Sequence, residues 1–240
     1  MPPAPSLSSR LLEVHQRLSD HYGPLSWWPA ESPFEVVVGA VLTQNTAWAN
    51  VEKALGNLKM AGLLHPLALR ALPQDALAEY IRPSGTYSVK ARRLHALLVW
   101  LGDDWQERLA GPVEAVRAEL LAVDGVGPET ADAILLYAAG RPTFVVDAYT
   151  RRILDRLGIQ PDEASYEGYR QLFMAHLPAD AALYNEFHAQ FVQLGKEHCH
   201  KTPRCAGCPL LDVCPTGRQP EPLAPKEAGA AVDFPERLAG

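Results

Sequence analysis

The sequence lacks the features of a membrane or secreted protein. No run of about eighteen apolar residues occurs in it, which excludes a membrane-spanning helix. The opening Met-Pro-Pro-Ala-Pro-Ser has neither the charged nor the apolar region of a secretory leader, so we expect a cytoplasmic protein. Only four cysteines are present among 240 residues, and cytosolic cysteines rarely form disulfides. At this length the chain can bury a full core in one or two domains.

Positive charge is also scarce. The formal net charge of −6 argues against a protein that coats DNA generally, because neutralisation of phosphates favours basic surfaces. A local basic surface is still compatible with this balance, although charge runs usually form solvated helix faces. Basic residues group in three places: Lys90 with Arg92 and Arg93; Arg151 with Arg152 and Arg156; and His200 with Lys201 and Arg204.

Alternating strand patterns are almost absent, whereas helical spacing of apolar residues recurs along most of the chain. We therefore predict an all-α protein. From Thr216 onward, proline, glycine, alanine and charged residues replace the large apolar ones. Residues 216–240 are accordingly predicted to form a flexible tail.

The most informative motif is the glycine hairpin Gly125-Val126-Gly127-Pro128, which lies between two segments of helical spacing. Two glycines around one apolar residue let the backbone turn tightly and bring its amides close to an anion. Pro128 suits the first position of a helix, and helix N-termini bind phosphate. Asp147 follows in a Phe-Val-Val-Asp sequence, where its side chain is also able to cap the next helix.

This arrangement, with Thr-Ala after the hairpin, an apolar run and then Val-Val-Asp, resembles the helix-hairpin-helix DNA glycosylases of the endonuclease III superfamily. The resemblance implies that Asp147 is catalytic and that Gly125, Val126 and Gly127 contact DNA. Lys90 and Arg151, from two of the basic groups, are expected to contact DNA as well.

The same resemblance implies two helical lobes with a DNA cleft between them. Residues 33–140 would form a helical barrel domain that carries the helix-hairpin-helix motif. Residues 1–32 and 141–215 would together form a second helical domain with a C-terminal iron-sulfur cluster loop. Residues 216–240 would be the tail.

Four cysteines lie close together, with the spacing Cys199-x5-Cys205-x2-Cys208-x5-Cys214. Such density predicts a metal or a cluster that relieves repulsion between thiolates. Zinc usually takes two close pairs of ligands and only one pair occurs here, so we predict a [4Fe-4S] cluster, with zinc as the alternative. The pattern resembles the [4Fe-4S] loop of endonuclease III, shortened by one residue between its first two cysteines. Such a cluster would hold Lys201 and Arg204 in a loop that faces DNA phosphates.

Glu129 occupies the position of the lysine that lets bifunctional endonuclease III cut the strand. That lysine attacks the sugar and forms a Schiff base, whereas a carboxylate cannot form an imine. Asp147 alone can still stabilise an oxocarbenium charge and orient water. The sequence therefore predicts a monofunctional N-glycosylase with weak or absent AP lyase activity.

Trp27, Trp28, Pro29 and Trp48 near the N-terminus, together with Glu129, are predicted to form the base pocket. The alternative for the adjacent tryptophans is core packing. The Trp-Trp-Pro sequence, the Gly-Ala-Val-Leu-Thr-Gln-Asn-Thr sequence and Glu129 resemble the 3-methyladenine DNA glycosylase III branch. This resemblance implies removal of alkylated purines, whose positive charge is attracted to an aromatic face. It also implies that Gln44 enters the duplex in place of the flipped base. The alternative for Gln44 is a partner in a helix N-terminal cap.

Two other functions remain open on the sequence alone. One is an endonuclease III-like glycosylase and AP lyase for oxidised pyrimidines, since a cysteine quartet is common in that branch. The other is a DNA-binding relative without catalytic activity. Adenine removal from oxidised mispairs lacks its catalytic glutamate, because the matching position is Ala40. In each case the expected partner is double-stranded DNA with damaged bases, bound by a monomer that does not contact membranes.

Four further titratable residues are predicted to be structural. His188 and His198 are interpreted as packing residues, because a lone histidine on a helix is usually hydrogen-bonded within the fold. Asp124 and Asp132 are expected to be surface or capping groups.

Overall fold

The computed structural model describes residues 5–25 and 27–218, and every regular element in these residues is helical. The all-α prediction is therefore confirmed for this part of the chain, and no helix in it has the length and apolar character needed to cross a membrane. Of the predicted tail, residues 219–240 lie outside the described residues. The α-helices are α1 (Leu7–Tyr22), α2 (Pro33–Leu42), α3 (Trp48–Met60), α4 (Pro66–Ala71), α5 (Gln74–Tyr80), α6 (Tyr87–Leu101), α7 (Trp105–Leu109), α8 (Val113–Leu121), α9 (Pro128–Ala133), α10 (Ala148–Arg156), α11 (Tyr166–His176) and α12 (Ala181–Glu197).

The chain divides into two compact units. The hairpin unit runs from Trp28 to Pro142 and contains α2 to α9. Of the described residues, the cysteine unit combines 5–25 and Trp27 with 143–218, and it contains α1, α10, α11, α12 and the four cysteines. Its core thus needs both an early and a late part of the chain. The DNA cleft remains a prediction.

The hairpin unit is built around α2, whose residues from Phe34 to Leu42 are all buried. A helix that is apolar on nearly all sides has to lie inside a domain. Ser32 caps its N-terminus by accepting a hydrogen bond from the Glu35 amide at 3.2 Å. The Glu35 carboxylate is buried, and Lys59 compensates its charge with an ion pair of 2.8 Å.

Aromatic packing forms the core of the cysteine unit. Phe144 and Phe173 stack with ring centroids 3.5 Å apart and planes within 3° of each other. Phe187 of α12 meets Phe173 edge-on at 5.6 Å. Aromatic rings bury large apolar areas, so they contribute strongly to the stability of this core. The apolar stripe of α1, formed by Leu11, Val14 and Leu18, is buried in the same unit.

Candidate active site

The two glycines of the hairpin have different reasons to be glycine. Gly125 has φ +80°, and a Cβ at this position would collide with the side chain of Arg93. Both the positive φ and the close approach exclude other residues there. Gly127 has the ordinary extended φ of −91°, and a Cβ added to it would meet nothing within 4 Å. The fold therefore requires Gly125 but leaves open space at Gly127.

A buried ion pair fastens the helices on either side of the hairpin. Arg117 of α8 donates from Nε to Asp132 Oδ1 at 2.8 Å and from Nη2 to Asp132 Oδ2 at 3.1 Å. The side chain of Asp132 is fully buried, so its predicted place at the surface or in a cap is wrong. A buried charge persists only with such a partner. Asp124 does lie at the surface, where Arg92 pairs with it at 3.0 Å.

Gln44 is bonded to the hairpin. Its Nε2 donates to the Gly125 carbonyl and to the Thr130 hydroxyl, each at 3.0 Å, and its Oε1 accepts from Arg93 Nη1 at 2.7 Å. Helix α3 nearby begins at Trp48, and its N-cap residue Ala47 has no side-chain hydrogen bond to a cap, so the capping alternative for Gln44 is wrong. All three hydrogen bonds would have to break before this side chain could enter a duplex.

Three aromatic side chains form a cluster in the hairpin unit. The Trp28 ring lies 5.2 Å from Trp48, nearly perpendicular to it, and 5.3 Å from Tyr137. The sequence prediction included the two tryptophans but missed Tyr137. Tyr137 lies in a π-helical turn, Ile134–Ala138, and π turns occur frequently at functional sites.

The other predicted pocket residues are distributed between the units. Trp27 belongs to the cysteine unit and Trp28 to the hairpin unit. Pro29 is exposed, and Glu129 is a partly exposed residue in the first turn of α9. Their common role in a base pocket remains a prediction.

Lys90 has no access to DNA. Its side chain is buried, and its Nζ donates to the carbonyls of Leu42 at 2.7 Å and Ser84 at 2.6 Å. Burial, followed by the nearby charge of Arg93, lowers the pKa of Lys90 to about 8. The predicted phosphate contact of Lys90 is therefore wrong, because its ammonium joins two parts of the hairpin unit.

Asp147 is the N-cap of α10, as its position in the sequence allows. Its Oδ1 accepts a hydrogen bond from the Thr150 amide at 2.7 Å. The opposite oxygen, Oδ2, lies 3.6 Å from Nε2 of His188 on α12. The Asp147 side chain is only 11% exposed, and that of His188 only 6%. One carboxylate is thus both a helix cap and a nearly enclosed charged group.

These neighbours keep Asp147 ionised. Burial alone would raise the pKa of its carboxyl, but the His188 imidazole and the Thr150 amide outweigh burial and hold that pKa below its usual value. A carboxylate that is charged at neutral pH is what stabilisation of a cationic sugar needs.

His188 connects Asp147 with an aromatic surface. Its ring meets Trp27 edge-on at 6.4 Å, and the Lys196 ammonium lies 5.6 Å from the Trp27 ring. The sequence interpretation of His188 as a packing residue missed its position beside the carboxylate. No sequence pattern indicates this contact, because periodicity does not show which residue of α12 meets the start of α10.

The four cysteines are free and line one pocket, together with apolar residues such as Leu194 and Leu210. Burial, together with the other three cysteines, raises the pKa of Cys208 to about 11 despite a hydrogen bond from the Leu210 amide. Thiolates in this position need a compensating cation. The arrangement therefore fits a group with four cysteine ligands.

Arginines of α10 hold this loop. Arg152 Nε donates to the Cys199 carbonyl at 2.7 Å. Arg156 donates to the Cys199 sulfur at 3.0 Å and to the His200 and Lys201 carbonyls at 2.7 and 2.8 Å. Two of the three basic residues that the sequence placed on this helix thus have structural contacts inside the cysteine unit.

The remaining predicted DNA contacts stay predictions. Lys201 and Arg204 are exposed in the cysteine loop. Arg151 lies over the Tyr169 ring, with its guanidinium 5.4 Å from the ring centroid, and donates to the Ala164 carbonyl at 3.4 Å.

Residues 38–179 match the HhH-GPD superfamily of base excision DNA repair proteins. A protein of Methanocaldococcus jannaschii named as a DNA repair glycosylase is 44% identical over 209 residues, which are 85% of this chain and 95% of that protein.

Two solved structures are similar in sequence and in fold. The 3-methyladenine DNA glycosylase of H. pylori, bound to 1,N6-ethenoadenine, is 32% identical with a TM-score of 0.67, over 78% of this chain and 97% of that one. A non-covalent complex of endonuclease III with DNA is 26% identical with a TM-score of 0.73, over 88% of this chain and 96% of that one.

Proposed function

The chain belongs to the HhH-GPD superfamily of base excision DNA repair proteins and is a DNA glycosylase, and we propose that it removes alkylated purines from duplex DNA without cutting the strand. The observation that carries the proposal is the buried carboxylate of Asp147, held ionised in a chain that has Glu129 where an imine-forming lysine would stand. The 32% identity with a 3-methyladenine DNA glycosylase supports the substrate class.

In this mechanism, Asp147 acts on the sugar. As the bond between base and sugar breaks, positive charge develops on the sugar ring, and a fixed carboxylate stabilises it. The Asp147 side chain is only 11% exposed, so little water lies between the carboxylate and the sugar to screen their attraction. The same carboxylate can orient the water that completes hydrolysis. His188 acts through Asp147, as a positioning residue.

An alkylated purine needs little activation as a leaving group. The base already carries positive charge and leaves as a neutral molecule, so no strong general acid is needed. Recognition then depends on aromatic faces, whose quadrupole attracts a cation. Trp28, Trp48 and Tyr137 in the hairpin unit, and Trp27 in the cysteine unit, are the aromatic side chains that we assign to this role.

DNA binding is assigned to the hairpin and to basic side chains that are exposed or partly exposed. The open space at Gly127 lets a phosphate approach the backbone amides closely. Lys201, Arg204 and Arg151 would add phosphate contacts. Gln44 would fill the gap left by the flipped nucleotide, after release of its three hydrogen bonds to the hairpin unit.

We further infer that the cysteine pocket holds a [4Fe-4S] cluster, with Cys199, Cys205, Cys208 and Cys214 as ligands. The free thiols, their common pocket and the guanidinium beside Cys199 support this assignment. When bound, the cluster would supply the cross-link that fixes the loop of Lys201 and Arg204. Iron and sulfide content of the purified protein tests it, and a colourless protein with one zinc would contradict it.

The test of function is base release from two duplexes, one methylated and one carrying thymine glycol. We expect release of methylated purines, with strand breaks appearing only after alkali. Asp147→Asn should lower the single-turnover rate at least 100-fold. Because asparagine also caps helices, that variant should fold and bind DNA normally, which separates chemistry from binding.

The second candidate is an endonuclease III-like activity on oxidised pyrimidines, which the structural similarity to endonuclease III favours. Direct nicking at thymine glycol, with borohydride trapping of a covalent protein–DNA adduct, would support it and overturn the proposal. Glu129→Lys is the matched variant. If only the amine is lacking, this variant should gain the trapped adduct while the unaltered protein shows none.

A further inference from the structure

Three potential metal ligands lie together at the ends of two helices of the cysteine unit. His21 is in the last turn of α1, Glu197 is the last residue of α12, and His198 is the C-cap of α12. One ligand atom from each lies within 4.8 Å of the other two. None of them is one of the four cysteines or a contact of Asp147, but His198 precedes Cys199 and also lines the cysteine pocket.

Two of the three side chains are already oriented. His198 Nδ1 lies 3.1 Å from the Arg204 carbonyl oxygen, which can only accept, so Nδ1 is the donor and Nε2 is the ring nitrogen that is left for a metal ion. Metal-ligating histidines are typically held by such a bond from their other ring nitrogen. Gln193 Nε2 donates to Glu197 Oε1 at 2.6 Å, which orients the carboxylate in the same way.

The charge at this position also favours a cation. Glu197 contributes a carboxylate oxygen to the group of three ligand atoms, and carboxylate ligands favour metal cations. His21 and Glu197 are exposed, so an ion can enter from solvent.

We propose that His21, Glu197 and His198 bind one transition-metal ion of the Zn²⁺ class, with water in the fourth position. Two imidazoles and a carboxylate suit Zn²⁺, whereas Mg²⁺ and Ca²⁺ prefer oxygen ligands alone. The bound ion would join the end of α1 to the end of α12, and so connect the early and late parts of the chain within the cysteine unit.

The test is calorimetric titration of the purified protein, as isolated with its cysteine-bound group, with ZnCl₂ and in parallel with MgCl₂. We expect one Zn²⁺ per chain, no Mg²⁺ binding, unchanged visible absorbance, and a higher melting temperature in Zn²⁺. His21→Ala should weaken Zn²⁺ binding at least tenfold, as Glu197→Gln should. His176→Ala, an exposed histidine at the end of α11, is the matched control and should bind Zn²⁺ normally.

Three results would overturn the proposal. The first is a failure of the unaltered protein to bind Zn²⁺, and the second is equal affinity in His21→Ala. The third is bleaching of the visible absorbance in proportion to bound Zn²⁺, which would place the ion on the cysteines. No DNA enters these measurements, so they are independent of the proposed glycosylase specificity.

Discussion

At the scale of single residues, the catalytic carboxylate depends on a neighbour 41 positions away in the sequence. Asp147 caps α10 with one oxygen and faces His188 with the other. The cap fixes where the carboxylate lies, and the imidazole favours its charged form. These two contacts are separable by mutation, because the partner in the first is a backbone amide and the partner in the second is the His188 side chain.

We predict that His188→Asn lowers the single-turnover rate of base release about tenfold, within the range of a lost charged contact. Without the imidazole, the pKa of the Asp147 carboxyl rises, so the acid limb of the pH–rate profile should move to higher pH. A role in packing alone would lower stability without moving that limb. Gln190→Met, at an equally buried position of α12, is the control. An unmoved acid limb in His188→Asn would remove His188 from the mechanism.

At the scale of elements, the two glycines of the hairpin are expected to serve different purposes: Gly125 is needed for folding and Gly127 for binding DNA. We predict that Gly125→Ala lowers the free energy of unfolding by at least about 1–2 kcal/mol, because of its positive φ and the collision with Arg93. Gly127→Ala should change that free energy by less than about 0.5 kcal/mol and yet weaken DNA binding about tenfold. Denaturant unfolding and fluorescence anisotropy measure the two quantities. Normal DNA affinity in Gly127→Ala would show that the hairpin backbone does not approach DNA.

Helix α6 provides a second test, because Lys90, the residue of this helix that was predicted to contact DNA, is buried. We predict that Lys90→Met leaves the salt dependence of DNA affinity unchanged, whereas Lys201→Met reduces the slope by about 0.9. Titrations at several salt concentrations measure this slope. A reduced slope in Lys90→Met would mean that its ammonium reaches a phosphate after all.

The same lysine makes stability depend on pH. Its pKa is about 8 in the folded protein and 10.5 ordinarily, so the unfolded chain binds the extra proton between these values. The free energy of unfolding contributed by Lys90 should therefore rise with pH across that window. Lys90→Met should lack this rise in parallel denaturant titrations. Identical pH profiles for the two proteins would contradict the lowered pKa.

At the scale of the whole molecule, a cluster in the cysteine pocket should stabilise one unit and leave the other unaffected. We predict that oxidative loss of the cluster increases amide exchange in the cysteine loop and at the end of α10, where Arg156 holds that loop. Amides of residues 28–142 should keep their protection. Uniform loss of protection across both units would instead indicate one cooperative structure.

The sequence predicted local features better than contacts between distant segments. Gly125, the helix start at Pro128 and the cap at Asp147 follow from backbone rules that act over a few residues. Lys90 and Asp132 were placed wrongly, because their burial depends on partners that no periodicity reveals. Tyr137 was missed because a π turn changes which residues share a helix face. The assignment of the pocket residues to one site remains a prediction.

The division of the cysteine unit between the two ends of the chain also affects its synthesis. Helix α1 leaves the ribosome early, but α12, with which it packs, follows after some 160 further residues. At about 5–20 residues per second, the apolar stripe of Leu11, Val14 and Leu18 waits on the order of 10–30 s for its partner. Meanwhile the hairpin unit emerges as one continuous segment. Nascent chains of this protein should therefore need protection at their first helix.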